Sequence, residues 1–194
     1  MRNRMSLLIV LAACLVAIGA LAVVAVDLKP QAASRQVSVG GPFSLTDQDG
    51  KTITDADMKG HPFIVFFGFT HCPDVCPTTL YDLSQALNGL GDDTKNIPAL
   101  FVTVDPERDT PEVMKRYVSN FNPDIRGVTG EPAAIQAMVK AYRGYAKKVP
   151  TEDGDYTMDH TAVVYLMGAD GQFISPLNLQ RPTAEVVKEL REHI

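Results

Sequence analysis

FFGFTHCPDVCPTT, residues 66–79, joins an apolar run to two cysteines, Cys72 and Cys76, each followed by proline. The run FIVFFGF (63–69) is continuously apolar, as expected of a central strand covered on both faces. From Cys76 to Leu90 the apolar positions switch to helical spacing, with Leu80, Leu83, Leu87 and Leu90 in one stripe. The cysteines therefore sit where a strand hands over to a helix. Asp74 is expected to cap that helix, and Pro77 is tolerated because its missing N–H falls in the first turn. Backbone N–H groups and the positive helix end should favour thiolate there. Three residues separate the cysteines, where a disulfide oxidoreductase normally has two. Spacing alone leaves electron exchange and metal binding both open.

Outward from this junction, strands and helices alternate. FSLTDQDGKTIT (43–54) carries two short alternating runs around Asp49-Gly50, a hairpin signature. ALFVTVD (99–105) reads as a second buried strand. Thr110 caps a helix that opens with Pro111 and runs to about Phe121. A third helix is expected from about Ala133 to Tyr142, and TAVVYLMGADGQFI (161–174) reads as a hairpin turning at Asp170-Gly171. Thr183 is expected to cap a last helix. This order predicts an α/β fold with a central sheet and helices on both faces. A cysteine pair at a strand-to-helix junction is the thioredoxin arrangement.

The N-terminus adds a membrane signal. Ser6 to Val26 is 21 residues without a charge, enough to span a hydrocarbon layer of about 30 Å as a helix. Arg2 and Arg4 precede it, so the rest of the chain should be exported. We read residues 1–26 as an uncleaved anchor, 27–37 as a polar linker and 38–194 as one domain. A cleaved signal peptide would have a shorter apolar core. LAAC (11–14) resembles a lipoprotein box, but a long apolar run follows Cys14. All three readings export the domain, in a bacterial cell to the periplasmic face of the inner membrane.

The chain of 194 residues has 45% apolar content, no tryptophan and a net charge of -5, which gives no sign of the basic face a nucleic-acid binder needs. With Cys14 in the apolar span, Cys72 and Cys76 are the thiols of the exported domain. In an oxidising compartment they would pair unless something keeps them reduced. A staple closing so small a loop would constrain little of the unfolded chain. A lasting metal site wants a third ligand. Of four histidines, His61 precedes a strand and His193 is terminal, leaving His71 and His160. His71 neighbours Cys72, and adjacent strand residues face opposite sides. His160 is expected at the mouth of a central strand, where ligands gather in α/β sheets. Two thiolates and an imidazole suit copper(I), and copper(II) with an added oxygen donor. Zinc would want a fourth ligand, and iron–sulfur clusters more cysteines.

Together these residues resemble the Sco/SenC family. GFTHCPDVCPTTL carries its Cys-x-x-x-Cys-Pro signature, VTVDPERDTPEVMKRYV (102–118) its second hallmark, and DHTAVVYLMGADGQF (159–173) its third, over nearly all of 38–194. The resemblance implies a thioredoxin-like fold with a central mixed sheet and copper ligands at Cys72, Cys76 and His160. It also implies a copper chaperone working on the copper-bearing subunit of cytochrome c oxidase, or with another copper chaperone. Thr161 stands where many relatives have serine. Asp105 could donate an oxygen to copper(II) or orient His160, or simply cap its strand through Arg108. Met158 could offer a thioether, although methionine beside a strand is usually packing. Asp159 reads as a partner for local backbone.

Two rival functions stand beside this one. A thiol–disulfide reductase would use Cys72 and Cys76 as a redox pair. Generic thioredoxins place a cis-proline before the strand facing that pair, whereas residues 151–175 have no proline and carry His160 in roughly that region. A peroxidase would need threonine and arginine around one cysteine; Thr70 and Arg108 are present, but their spacing does not demand such a pocket.

Overall fold

A computed structural model describes residues 38–194. The expected anchor and linker lie outside the described residues. Among those described, no helix is long and apolar enough to cross a membrane.

Among the described residues, nine strands and four α-helices follow one another. They are β1 (Ser44–Asp47), β2 (Thr52–Thr54), β3 (Phe63–Gly68), α1 (Val75–Leu90), β4 (Ala99–Thr103), α2 (Pro111–Val118) and β5 (Ile125–Thr129). Then come α3 (Pro132–Ala141), β6 (Ala146–Pro150), β7 (Tyr156–His160), β8 (Val164–Met167), β9 (Phe173–Pro176) and α4 (Thr183–Arg191). Seven strands form one sheet in the order β2-β1-β5-β4-β3-β8-β9. Strands β3, β4 and β5 are parallel, while β1 and β8 run antiparallel to their neighbours, so the sheet is mixed.

The apolar run behaves as read: all six residues of β3 are buried, paired with β4 on one side and β8 on the other. On α1 the expected stripe Leu80, Leu83, Leu87 and Leu90 is buried to the last residue. Each such side chain contributes about 1.5–3 kcal/mol relative to exposure. Both hairpins turn where expected, with Gly50 at φ 77° and Gly171 at φ 79°. Thr110 caps α2 by accepting the Val113 N–H.

Four expectations need correction. β5 was not anticipated; its sequence IRGVT contains an arginine and a glycine and shows no apolar alternation, and it becomes a strand by pairing with β4 and β1. The β6–β7 hairpin was not anticipated either, since its strands, with a single buried residue, Met158, leave no apolar pattern. Asp74 sits at the α1 N-cap, but its side chain accepts no backbone N–H there; its carboxylate meets the Thr78 hydroxyl at 3.5 Å. Pro182, not Thr183, precedes the first turn of α4.

Candidate metal centre

Strand β3 ends at Gly68, and a tight turn, in which the Cys72 N–H donates to the Phe69 carbonyl at 3.2 Å, carries the chain into α1. Cys76 lies in the first turn of α1 and is fully buried, while Cys72 just outside the helix is half-buried. Gly68 makes this closeness possible. A Cβ there would stand 2.8 Å from Cys76 Sγ and 2.6 Å from Phe101 Cε2. The Cys72 Sγ accepts the Cys76 N–H at 3.5 Å, so one orphan donor of the helix start is aimed at sulfur.

His160 arrives from elsewhere. It is the last residue of β7, in the separate two-stranded β6–β7 sheet, and not at the start of a central strand as expected. Its Nε2 lies 3.9 Å from Cys76 Sγ. Its Nδ1 is 3.1 Å from the Thr161 carbonyl oxygen. A carbonyl can only accept, so Nδ1 carries the proton and Nε2 turns its lone pair toward the sulfur. Fixing the tautomer through the other ring nitrogen is how ligating histidines are prepared. Thr161 does a second job: its hydroxyl accepts the Tyr145 N–H at 3.0 Å, tying the base of the hairpin where His160 emerges. Phe69 packs its ring against the imidazole in a T-shaped contact at 5.7 Å.

The donors fit a soft metal. Metal–sulfur and metal–nitrogen bonds of about 2.3 and 2.0 Å sum to about 4.3 Å, so one ion can bridge the 3.9 Å between Cys76 Sγ and His160 Nε2. Among the described residues no three His, Cys, Asp or Glu side chains already stand as a closed cluster. The converged pair is Cys76 with His160, and Cys72 is the adjacent donor that would complete a Cys₂His set.

Electrostatics at Cys76 run against the expected thiolate. Burial pushes its thiol well above the ordinary value, and the neighbouring Cys72 and Asp109 push the same way, while a backbone contact at Phe69 opposes them. A helix N-terminus contributes only about 0.3–1 kcal/mol to a nearby anion, too little to offset desolvation of a fully buried thiol. A cation at the site would reverse this balance, since a coordinating thiol is deprotonated outright.

The second hallmark holds the loop. Asp109, which the sequence reading passed over, is fully buried and accepts from the Thr70 N–H at 3.0 Å, the Thr70 hydroxyl at 2.6 Å and the Thr103 hydroxyl at 2.6 Å. It thereby fixes the segment that leads into Cys72. Its signal was the spacing of two aspartates, Asp105 and Asp109, in VDPERDTP. Asp105 is buried with both oxygens engaged, one by Arg108 Nε and one by the Tyr156 hydroxyl at 2.9 Å. Neither oxygen is hydrogen-bonded to a cysteine or to His160; Arg108 ties it to the strand end instead. The Arg108 guanidinium also lies 3.8 Å over the Tyr156 ring, joining the hairpin to the end of β4. With Thr70 and Arg108 committed in this way, neither activates a cysteine as a peroxidase would require. Met158 is buried packing, Asp159 is exposed, and His71 is exposed with Nδ1 3.8 Å from Asp109.

Comparison with known proteins converges on one family. The SCO1/SenC family model matches residues 31–194. The human mitochondrial SCO1 homolog is 39% identical over 159 residues, covering 80% of this chain and 53% of its own length. The chain spans about half the length of the human and Arabidopsis relatives. The SCO2-like protein RP587 of Rickettsia prowazekii is 31% identical over 97% of both chains. Among solved structures, Bradyrhizobium japonicum ScoI with copper bound is 54% identical with a TM-score of 0.79, over 81% of this chain and all of that one. Yeast Sco1 with copper bound is 38% identical with a TM-score of 0.74, over 80% of this chain and 88% of that one. The thioredoxin-like mixed sheet thus has its counterpart in one group of proteins, and this chain belongs to the SCO1/SenC family.

Proposed function

We propose that this protein is a membrane-anchored copper chaperone that holds copper through Cys72, Cys76 and His160. It delivers the metal to the copper centre of cytochrome c oxidase during assembly. The observation that carries the reading is the His160 imidazole, its proton tied to the Thr161 carbonyl and its free Nε2 3.9 Å from a buried thiol. A histidine placed for packing alone would need neither the fixed tautomer nor the sulfur. Relatives that share the fold have been solved with copper bound, which supports copper over other soft metals.

Copper is cargo in this reading, and the chain supplies two soft thiolates and one imidazole to hold it. Binding releases the thiol protons, so it strengthens as pH rises and is lost when the cysteines oxidise to a disulfide. Release follows by ligand exchange, with His160 or one thiolate letting go as a client sulfur enters. Residues 6–26 anchor the chain, the domain faces the exported side, and the copper-bearing oxidase subunit or another copper chaperone is the partner.

A thiol–disulfide reductase is the second reading. Cys72 favours it, being half-exposed with its sulfur on the Cys76 N–H. The buried, proton-holding Cys76 opposes it. Titrating copper(I) into the reduced chain against a chromogenic chelator decides between them. One copper per chain is expected, lost on oxidation and in Cys72→Ala, and weakened roughly tenfold or more in His160→Ala. No stoichiometric copper, together with rapid reduction of a client disulfide, would replace the chaperone with the reductase.

A further inference from the structure

A groove of about 450 Å³ opens beside the cysteines, between α1 and the chain around β8 and β9. One wall begins at Asp74 and Val75, within the Cys-x-x-x-Cys loop, and runs along α1 to Asp82. The other carries Val163, Pro176 and Leu179, starting just past His160. The groove therefore borders the Cys-x-x-x-Cys loop and the segment that follows His160. Val75 stands 50% exposed in it. Asp74 and Asp82 are the ionisable side chains on its lining, and no basic one accompanies them.

We infer that this groove seats an extended segment of the copper acceptor that bears a lysine or arginine near its copper-binding sulfur. The inference rests on the copper-delivery reading. Ligand exchange requires donor and acceptor sulfurs on one ion at the same time, so the acceptor chain must pass the mouth at Asp74. An apolar floor takes its uncharged side chains, and the two carboxylates select a cation over an anion. The geometry also sets a spacing. Eight residues of helix from Asp74 to Asp82 rise about 12 Å. An extended chain covers about 3.3 Å per residue, so the cation lies three or four residues from the sulfur.

The test is a methyl-NMR titration of the full chain in detergent micelles, reduced and metal-free. The probes are capped peptides with serine in place of the acceptor cysteine and lysine one, three, four or seven residues away, and the same set with glutamate. Expected are shifts at Val75, Val163 and Leu179. The three- and four-residue lysine peptides should bind about three- to fivefold more tightly than their glutamate counterparts. Asp82→Asn should erase that preference while leaving copper(I) affinity unchanged. Equal affinity across charge and spacing, shifts confined to another face, or a preference surviving Asp82→Asn would overturn the inference. So would binding that emerges only after Lys29→Gln and Arg35→Gln, which would make the chain's own segment the occupant. Copper bound without peptide preference refutes the groove alone. Peptide preference in a chain that binds no copper refutes the delivery reading, and with it the copper acceptor as occupant.

Discussion

Replacing Gly68 by alanine should damage the fold and the metal centre together. The new Cβ would lie 2.6 Å from Phe101 Cε2 and 2.8 Å from Cys76 Sγ, against ordinary contacts of 3.4 Å or more. Relief needs both neighbours to give, by at least 0.8 Å from the ring (3.4 less 2.6) and 0.6 Å from the sulfur (3.4 less 2.8), unless the Gly68 backbone itself shifts. Phe101 is held on both sides, with Phe66 at 5.8 Å and Tyr117 stacked at 5.6 Å, and it is fully buried. Cys76, in the first turn of α1, is freer to yield, and yielding changes its 3.9 Å relation to His160 Nε2. Overpacking of this kind typically destabilises by about 1–3 kcal/mol. A displacement above about 0.5 Å exceeds what a preorganised site tolerates, so copper(I) affinity should fall by roughly tenfold. Urea unfolding of the reduced, metal-free chain gives the first quantity and chelator competition the second. Gly50→Ala is the control: at φ 77° with open space around it, it should cost about 1 kcal/mol from backbone strain and leave copper binding alone. A Gly68→Ala protein as stable as the parent, with unchanged copper affinity, would refute the claim that this glycine makes room for the sulfur.

Tyr156→Phe keeps the ring under Arg108 but removes the 2.9 Å hydroxyl bond to the buried Asp105 carboxylate. It should destabilise by about 1.5–3 kcal/mol, and a loss under about 0.5 kcal/mol in urea unfolding would show that this bond does little to hold the hairpin. Burial raises the Tyr142 and Tyr165 phenols above their ordinary 10.0. The folded state thus keeps protons that the unfolded state releases, so this stability is intact below pH 10 and is lost as pH rises beyond it. The double variant Tyr142→Phe, Tyr165→Phe should show a shallower fall in stability above pH 10, and an unaltered slope would count against that assignment. Asp49 is held below its ordinary 3.8 by a hydrogen bond from Lys115 and by that lysine's charge. Its contribution is present above about pH 4 and lost as pH falls further, so Lys115→Met should flatten the acid limb at low ionic strength, and a steepness equal to the parent's would refute the link.

The elements legible in the sequence were those whose stability is local or whose burial is two-sided. FIVFFGF read as a covered strand, the Leu80–Leu90 stripe as a helix packed on one face, and Thr110-Pro111 as a helix start, and each is so. Cys72 and Cys76 followed from that boundary, because a cysteine at a strand-to-helix junction has its position set by neighbours in the chain. Strand β5 and the β6–β7 hairpin were not legible, since IRGVT and AKKVP owe their conformation to partners far away in sequence.

The chain by itself thus determined the strand–cysteine–helix unit and the chemical identity of the donors, properties carried by residues close in sequence. Tertiary structure alone decided how those donors meet. It brought His160 across 84 positions on an unforeseen hairpin to within 3.9 Å of Cys76, and set its tautomer through Thr161. It also engaged both oxygens of Asp105 away from the sulfurs and put Asp109 under the loop. The burial that makes Cys76 hold its proton likewise comes from the whole sheet packed around it, a solvation effect that no local reading of the helix terminus contains.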